Sequence, residues 1–179
     1  MHTITVFESL ENRRLMSVSV ASVFATSLIA GTPQNNVVRS ERATFTASGV
    51  TASAGDNVRS VTYFIDNNSD GVFSKGDLLL GRSGNAASNF AATGIIKSGL
   101  ALGNLTISAV AQGKLSKSDF SAAVTQNVTV VDDLPLIRKL TASAKKVFAN
   151  KPVSLVASNV SDKDGSIAKV DSQPAASPF

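Results

Sequence analysis

An all-β sandwich is the fold this sequence predicts, and three observations predict it. Ala, Ser, Thr and Val dominate, while Glu, Gln and Leu are sparse at helical spacing. Short β-branched runs alternate with Gly, Asn, Asp and Ser, the residues that punctuate strands joined by turns. Within the runs, apolar and polar residues alternate with a period of two, as in a strand with one face on a core.

The pattern predicts strands at Val23–Ile29, Ala43–Val50, Val58–Ile65, Leu78–Gly81, Asn89–Thr93, Leu105–Ala111 and Ala122–Val131. Alternation is clearest in Val58–Ile65: Val58, Ser60, Thr62 and Phe64 take one face, and Arg59, Val61, Tyr63 and Ile65 the other. In Leu105–Ala111, the residues Leu105, Ile107, Ala109 and Ala111 point one way. Seven strands over about 110 residues fit an immunoglobulin-like antiparallel β-sandwich.

The connection between Ile65 and the strand after Asp77 carries the most specific chemistry in the chain. It reads DNNSDGVFSKGD and follows the spacing of a twelve-residue calcium loop. Calcium takes six to eight oxygens, and one short loop supplies them only from alternating positions. Asp66, Asn68 and Asp70 stand at positions 1, 3 and 5, and Gly71 at position 6 permits the sharp turn. Val72 would offer its carbonyl, Ser74 its hydroxyl or a bridging water, and Asp77 closes the loop. A solvated hairpin loop rich in Asn, Asp and Ser looks the same over its first six residues; Ser74 and Asp77 fall in phase after Gly71 and favour the ion. Only three carboxylates contribute charge, Lys75 opposes them, and Asp is short for position 12, so a weak site of the extracellular class is expected. No amphipathic helix flanks the loop. Calcium there would pin a long hairpin connection and stiffen it.

Composition narrows the function classes. The 179 residues contain no Cys, no Trp and one His, His2. Disulfides and thiolate metal sites are therefore excluded, and His-based triads and zinc sites have no support. The net charge of +4 does not concentrate into an aromatic-studded basic surface. Arg13–Arg14 and the looser group Arg138, Lys139, Lys145, Lys146 and Lys151 read as solvated faces, and no nucleic-acid partner is expected. Asp132 and Asp133 are adjacent at a strand end and read as the start of a linker, so no paired acid and base is in evidence. Carbohydrate binding by the sandwich itself would call for several exposed aromatics. Tyr63 and many of the nine Phe fall at alternating strand positions, where core packing is the expected role. No run of about 18 apolar residues occurs, so no transmembrane helix is expected.

An incomplete internal repeat sets the domain organisation. Residues 37–55 align with 147–165 at an offset of 110, with identities Val37/Val147, Ala47/Ala157, Ser48/Ser158, Val50/Val160 and Gly55/Gly165. The expected division is an N-terminal segment 1–21, a sandwich 22–133 that holds the loop, and a truncated second repeat 134–179 after the linker DDLPLI. Such a second unit lacks most of its strands, so either it is expected to pack poorly or the chain is expected to be a fragment of a longer array. At the N-terminus two readings stand. Leu15–Ala30 is either the apolar region of a secretory signal behind Arg13 and Arg14, or its part beyond Ser22 is the first strand of the sandwich.

Phe7, Glu8, Leu10, Glu11, Arg13, Leu15 and Ser17 resemble the LEPR-x-LL motif at the start of large exported proteins of planctomycete type, with Asn12 in place of Pro and Met16 in place of Leu. FTASGV (45–50), SVTYFIDNNSDG (60–71), GDLLLGR (76–82) and SGLALG (98–103) resemble, in order, the bacterial immunoglobulin-like repeats that often follow that motif. The resemblance implies a secreted or surface-displayed, non-catalytic structural or adhesive module with calcium-stiffened loops. It carries the metal ligands onto Asp66, Asn68, Asp70, Ser74 and Asp77. Asp162 and Asp164 resemble a D-x-D-G element, for which the first unit has Ala52 and Ala54. Partners of such a module would be an unidentified protein, a surface glycan or neighbouring repeats. The alternative is the leading non-catalytic part of a larger exported enzyme.

Overall fold

A computed structural model describes residues 18–29, 32–53, 55–115, 120–143, 153–163, 165 and 167. The LEPR-x-LL-like motif, Arg13, Arg14, Lys145, Lys146, Lys151, Asp164 and the final residues lie outside the described residues. The described residues form an all-β fold of twelve strands and one 3-10 turn, Ala86–Ser88, with no α-helix among them.

The strands are β1 (Val18–Ser19), β2 (Ser22–Ser27), β3 (Asn36–Val38), β4 (Arg42–Ser48), β5 (Thr51–Ala52), β6 (Val58–Ile65), β7 (Leu78–Ser83), β8 (Ala92–Ile95), β9 (Gly103–Gly113), β10 (Val124–Val131), β11 (Leu136–Ala142) and β12 (Leu155–Ser161). A five-stranded sheet has the order β3-β10-β9-β6-β7, and a three-stranded sheet the order β2-β4-β8. Two separate two-stranded ribbons are β1-β5 and β11-β12. The chain divides into two compact units, one holding Thr46–Ala92 and Ile107–Gln126, the other Phe24–Phe45, Thr93–Thr106 and Asn127–Phe179.

In the first unit, β6 pairs antiparallel with β9 and β7. Val61, Tyr63, Ile107, Ala109 and Ala111 are buried, as their alternation requires. The opposite face of β6 is buried as well: Ser60, Thr62 and Phe64 join Ser108 and Val110 of β9. Alternation alone predicts a solvated second face, and this one is covered locally. Phe73, from the 66–77 connection, meets Phe64 edge to face at 5.5 Å between ring centroids. Tyr63 crosses to the turn after Ala86–Ser88 and donates its hydroxyl to the Phe90 carbonyl at 2.9 Å. Gly81 of β7 sits where a Cβ would come within 2.9 Å of Ala92, so this close approach requires glycine. Gly49 is held at φ +57°, and a Cβ there would lie 2.5 Å from Ala21.

In the second unit the chain changes sheets between β2 and β3. Pro33 has no N–H to donate, and Asn35 adopts a left-handed φ of 61°. Asn35 then replaces the missing strand neighbour of Ala25, accepting from its N–H at 3.1 Å and donating to its carbonyl at 2.8 Å. Beyond this turn β3 runs parallel to β10, Val37 opposite Val130. This parallel pair departs from the antiparallel arrangement expected from the sequence, and it arises because the turn carries the chain onward into another sheet instead of reversing it in the same one. Val37, Ala43, Phe45, Ile96, Val128 and Val130 are buried. The β11-β12 ribbon differs from both sheets: every residue of β11 is exposed.

Candidate functional site

The 66–77 connection joins β6 to β7, and its backbone is folded around its own side chains. Asp66 accepts from the Gly71 N–H at 2.8 Å through Oδ2. Asn68 Oδ1 accepts from the Asp70 N–H at 3.2 Å, and Asp70 Oδ1 from the Val72 N–H at 2.7 Å. Asp77 closes the loop by accepting from the Asn67 N–H at 3.0 Å and, through its other oxygen, from the Ser74 N–H at 2.7 Å and hydroxyl at 3.1 Å. The Ser74 N–H, the Asn67 N–H and the Ser74 hydroxyl together hold the Asp77 carboxyl below its ordinary range, against some desolvation. Gly71 at φ +74° and Ser69 at φ +58° supply the left-handed turns. Glycine is suited to the first, while a serine rarely adopts the second.

The loop thus brings the predicted ligand residues into one turn but does not gather their charges. No three His, Cys, Asp or Glu side chains converge on one point among the described residues. Asn68 turns its Nδ2 donor toward Asp70 Oδ2 at 2.8 Å and Ser74 Oγ at 3.4 Å, so an amide N–H lies between oxygens that a cation would share. One atom is left over. Asp66 Oδ1 is buried and has no hydrogen-bond partner. A buried carboxylate oxygen with no donor is costly to desolvate, and a cation coordinated there would satisfy it. Asp66, Asp70, Asp77, Ser74 and the Val72 carbonyl fit a calcium ion by donor chemistry, with Asn68 joining once its amide turns its oxygen inward.

Just after β12, Asp162 Oδ1 accepts from the Gly165 N–H at 3.2 Å. Asp132, expected at a linker start, is ion-paired with Arg39 at 2.7 Å.

One feature beside the loop escapes a reading of the sequence. Val72 and Phe73 are exposed apolar residues in an otherwise polar loop, and together with Phe120 they wall a cavity of about 350 Å³ whose lining includes Arg82 and Gln112. Ser121 places Phe120 by accepting from the Ala111 N–H through Oγ at 2.9 Å and donating its own N–H to the Ala111 carbonyl at 2.9 Å. The sequence signal was the Val-Phe pair itself, since calcium coordination asks only for a carbonyl at position 7 and nothing of position 8.

Comparison of the chain with protein-family models, with curated proteins and with solved structures found no match. No helix among the described residues is long and apolar enough to cross a membrane.

Proposed function

We propose that this chain is a non-catalytic, exported structural or adhesive module, secreted or held at the cell surface, whose 66–77 loop takes up calcium and is stiffened by it. The observation that carries the reading is the buried, unpartnered Asp66 Oδ1 inside a loop whose remaining oxygens stand at calcium-loop positions. The LEPR-x-LL-like segment supports export, and the order of the repeat-like motifs supports a place in an array. Composition supports the absence of catalysis, because no activated nucleophile or acid–base pair is found in the sequence.

The loop also has a structural task that the ion would reinforce. Its Phe73 covers Phe64 on the second face of the five-stranded sheet. Calcium would fix the loop and, through Phe73, that face.

Thermal unfolding of the full chain in EDTA and then in millimolar calcium tests the reading. A ligand that binds only the folded state stabilises it by about 2.7 kcal/mol at a hundredfold excess over its Kd. The Tm is expected to rise with calcium in the parent chain and to stay level in Asp66→Ala and Asp77→Ala. A Tm independent of calcium would reduce the loop to a polar hairpin connection.

A further inference from the structure

The cavity beside the loop has a composition that ordinary surface packing does not explain. Phe73 and Phe120 are both 42 % exposed, Val72 is 54 % exposed, and Val110 also lines the cavity. To this lining, which also holds Thr62, Gln112 and Ser121, β7 contributes the exposed Arg82. Its Nε donates to Ser60 Oγ at 3.0 Å and one terminal nitrogen to Gln112 Oε1 at 2.6 Å. Both partners are neutral. Among the described residues Arg82 has no carboxylate within ion-pair distance. A guanidinium carries five N–H donors in a fixed fork, so after these two bonds three remain. Ser60 and Gln112 hold the fork in place, which lowers the ordering cost of pairing it with an incoming anion.

We propose that this cavity binds a small organic carboxylate with an apolar body, the carboxylate on the Arg82 fork and the body between Phe73 and Phe120. Charge complementarity selects the anionic group: a guanidinium with neutral partners lacks its counter-charge, and carboxylates pair with such forks through two parallel hydrogen bonds. The walls select the body. The exposed walls Val72, Phe73 and Phe120 are apolar, while a sugar ring carries hydroxyls on all sides, and of the polar lining groups the Ser121 hydroxyl is already committed to Ala111 and Ala122. A phenyl or branched aliphatic group needs only the apolar walls. At about 350 Å³ the space is at the small end of ligand sites, which run to roughly 300–1,000 Å³. The proposal does not depend on calcium.

The test is a titration of the full chain, in EDTA, with 3-phenylpropionate, followed by backbone amide and Arg82 Nε–H resonances. Saturable shifts are expected at Val72, Phe73, Arg82, Val110 and Phe120, with millimolar affinity. Neutral 3-phenylpropanamide and acetate should each bind about tenfold more weakly or worse, because each lacks one half of the recognition. Arg82→Gln should lose about tenfold in affinity. Phe120→Ala, at an exposed position, should weaken binding while leaving the spectrum of the folded chain in place. Equal shifts from acetate would leave only a general anion effect and overturn the proposal. Equal shifts from the amide, unchanged affinity in Arg82→Gln, or shifts scattered over the surface would overturn it too.

Discussion

Val58–Ile65 and Leu136–Ala142 are strands of similar length built from the same kinds of residue, and they end in opposite states. From Ser60 onward every residue of β6 is buried, on both faces. Every residue of β11 is exposed, including Leu136, Ile137 and Leu140. β6 has β9 and β7 on its two sides, while β11 pairs with β12 alone. Hydrogen bonding to a neighbour makes a strand; burial needs a second layer over each face. On β6 that layer includes Phe73 from the candidate calcium loop and, at its start, Arg82 bonded across Ser60. A single two-stranded ribbon is marginally stable at best in water.

Hydrogen exchange on the intact chain would break or establish this contrast most directly. Amides of β6 and β9 are expected to exchange only by global opening, a free energy of about 5–15 kcal/mol for a domain. Those of β11 and β12 are expected to exchange by local opening near the bottom of the scale. Equal protection in the two regions would mean that the ribbon is covered in solution.

Side-chain truncation is the next largest effect. Phe64→Ala is expected to cost about 3–5 kcal/mol in urea unfolding, because it empties a fully buried site and removes the partner of Phe73. Leu140→Ala, at a residue 64 % exposed, should stay within about 0.5 kcal/mol. A comparable loss from both would erase the distinction between the strands.

Much of the sandwich was legible because strand formation is local. Val58–Ile65 appears with the bounds read from its alternation, and β4, β7, β9 and β10 depart from their expected ends by a few residues. β8 begins three residues later than expected, because Asn89 and Phe90 take left-handed conformations and finish a turn. β3 escaped notice for a different reason. Its three residues are too few for a period, and its partner β10 lies more than eighty positions away in the chain. The second buried face of β6 was hidden likewise, since Ser60 and Thr62 are polar and its cover, Phe73 over Phe64 and Arg82 on Ser60, comes from outside the strand. At the candidate site, spacing identified the residues that share the turn. It could not show how their carboxylates are engaged, because backbone N–H groups compete with an ion for the same oxygens.

Tyr63 offers a finer comparison within the buried strand. Tyr63→Phe removes the donor to the Phe90 carbonyl and is expected to cost about 1–3 kcal/mol, smaller than the loss of a ring. Burial pushes the phenol's pKa up, with a backbone hydrogen bond from Ala47 acting the other way. The folded chain therefore keeps this proton at a pH where the unfolded chain loses it. Stability from Tyr63 is full below about pH 10 and falls as pH rises beyond it. Because Tyr63 is the sole tyrosine, tyrosinate absorbance reports its ionisation alone, and that absorbance should appear only on unfolding. Early appearance in the folded chain would show that the face of β6 carrying Val61 and Tyr63 opens to water.

Asp77 gives the smallest effect and the one that separates the loop from the strand it covers. Its carboxyl is held below the ordinary range chiefly by the Ser74 N–H, so it remains ionised in the folded chain where an unfolded Asp takes up a proton. The sign follows: its contribution is present above the unfolded pKa of about 3.9 and is lost as pH falls through the lower folded value. In EDTA, acid titration of stability should be shallower in Asp77→Asn than in the parent chain below about pH 4. The structural readout is sharper than the energy. Protonation frees the Ser74 and Asn67 N–H groups, so their exchange should quicken before that of Phe64 one strand away. Simultaneous loss at Asn67, Ser74 and Phe64 would show instead that loop and strand open as one cooperative piece, with Phe73 tying them together.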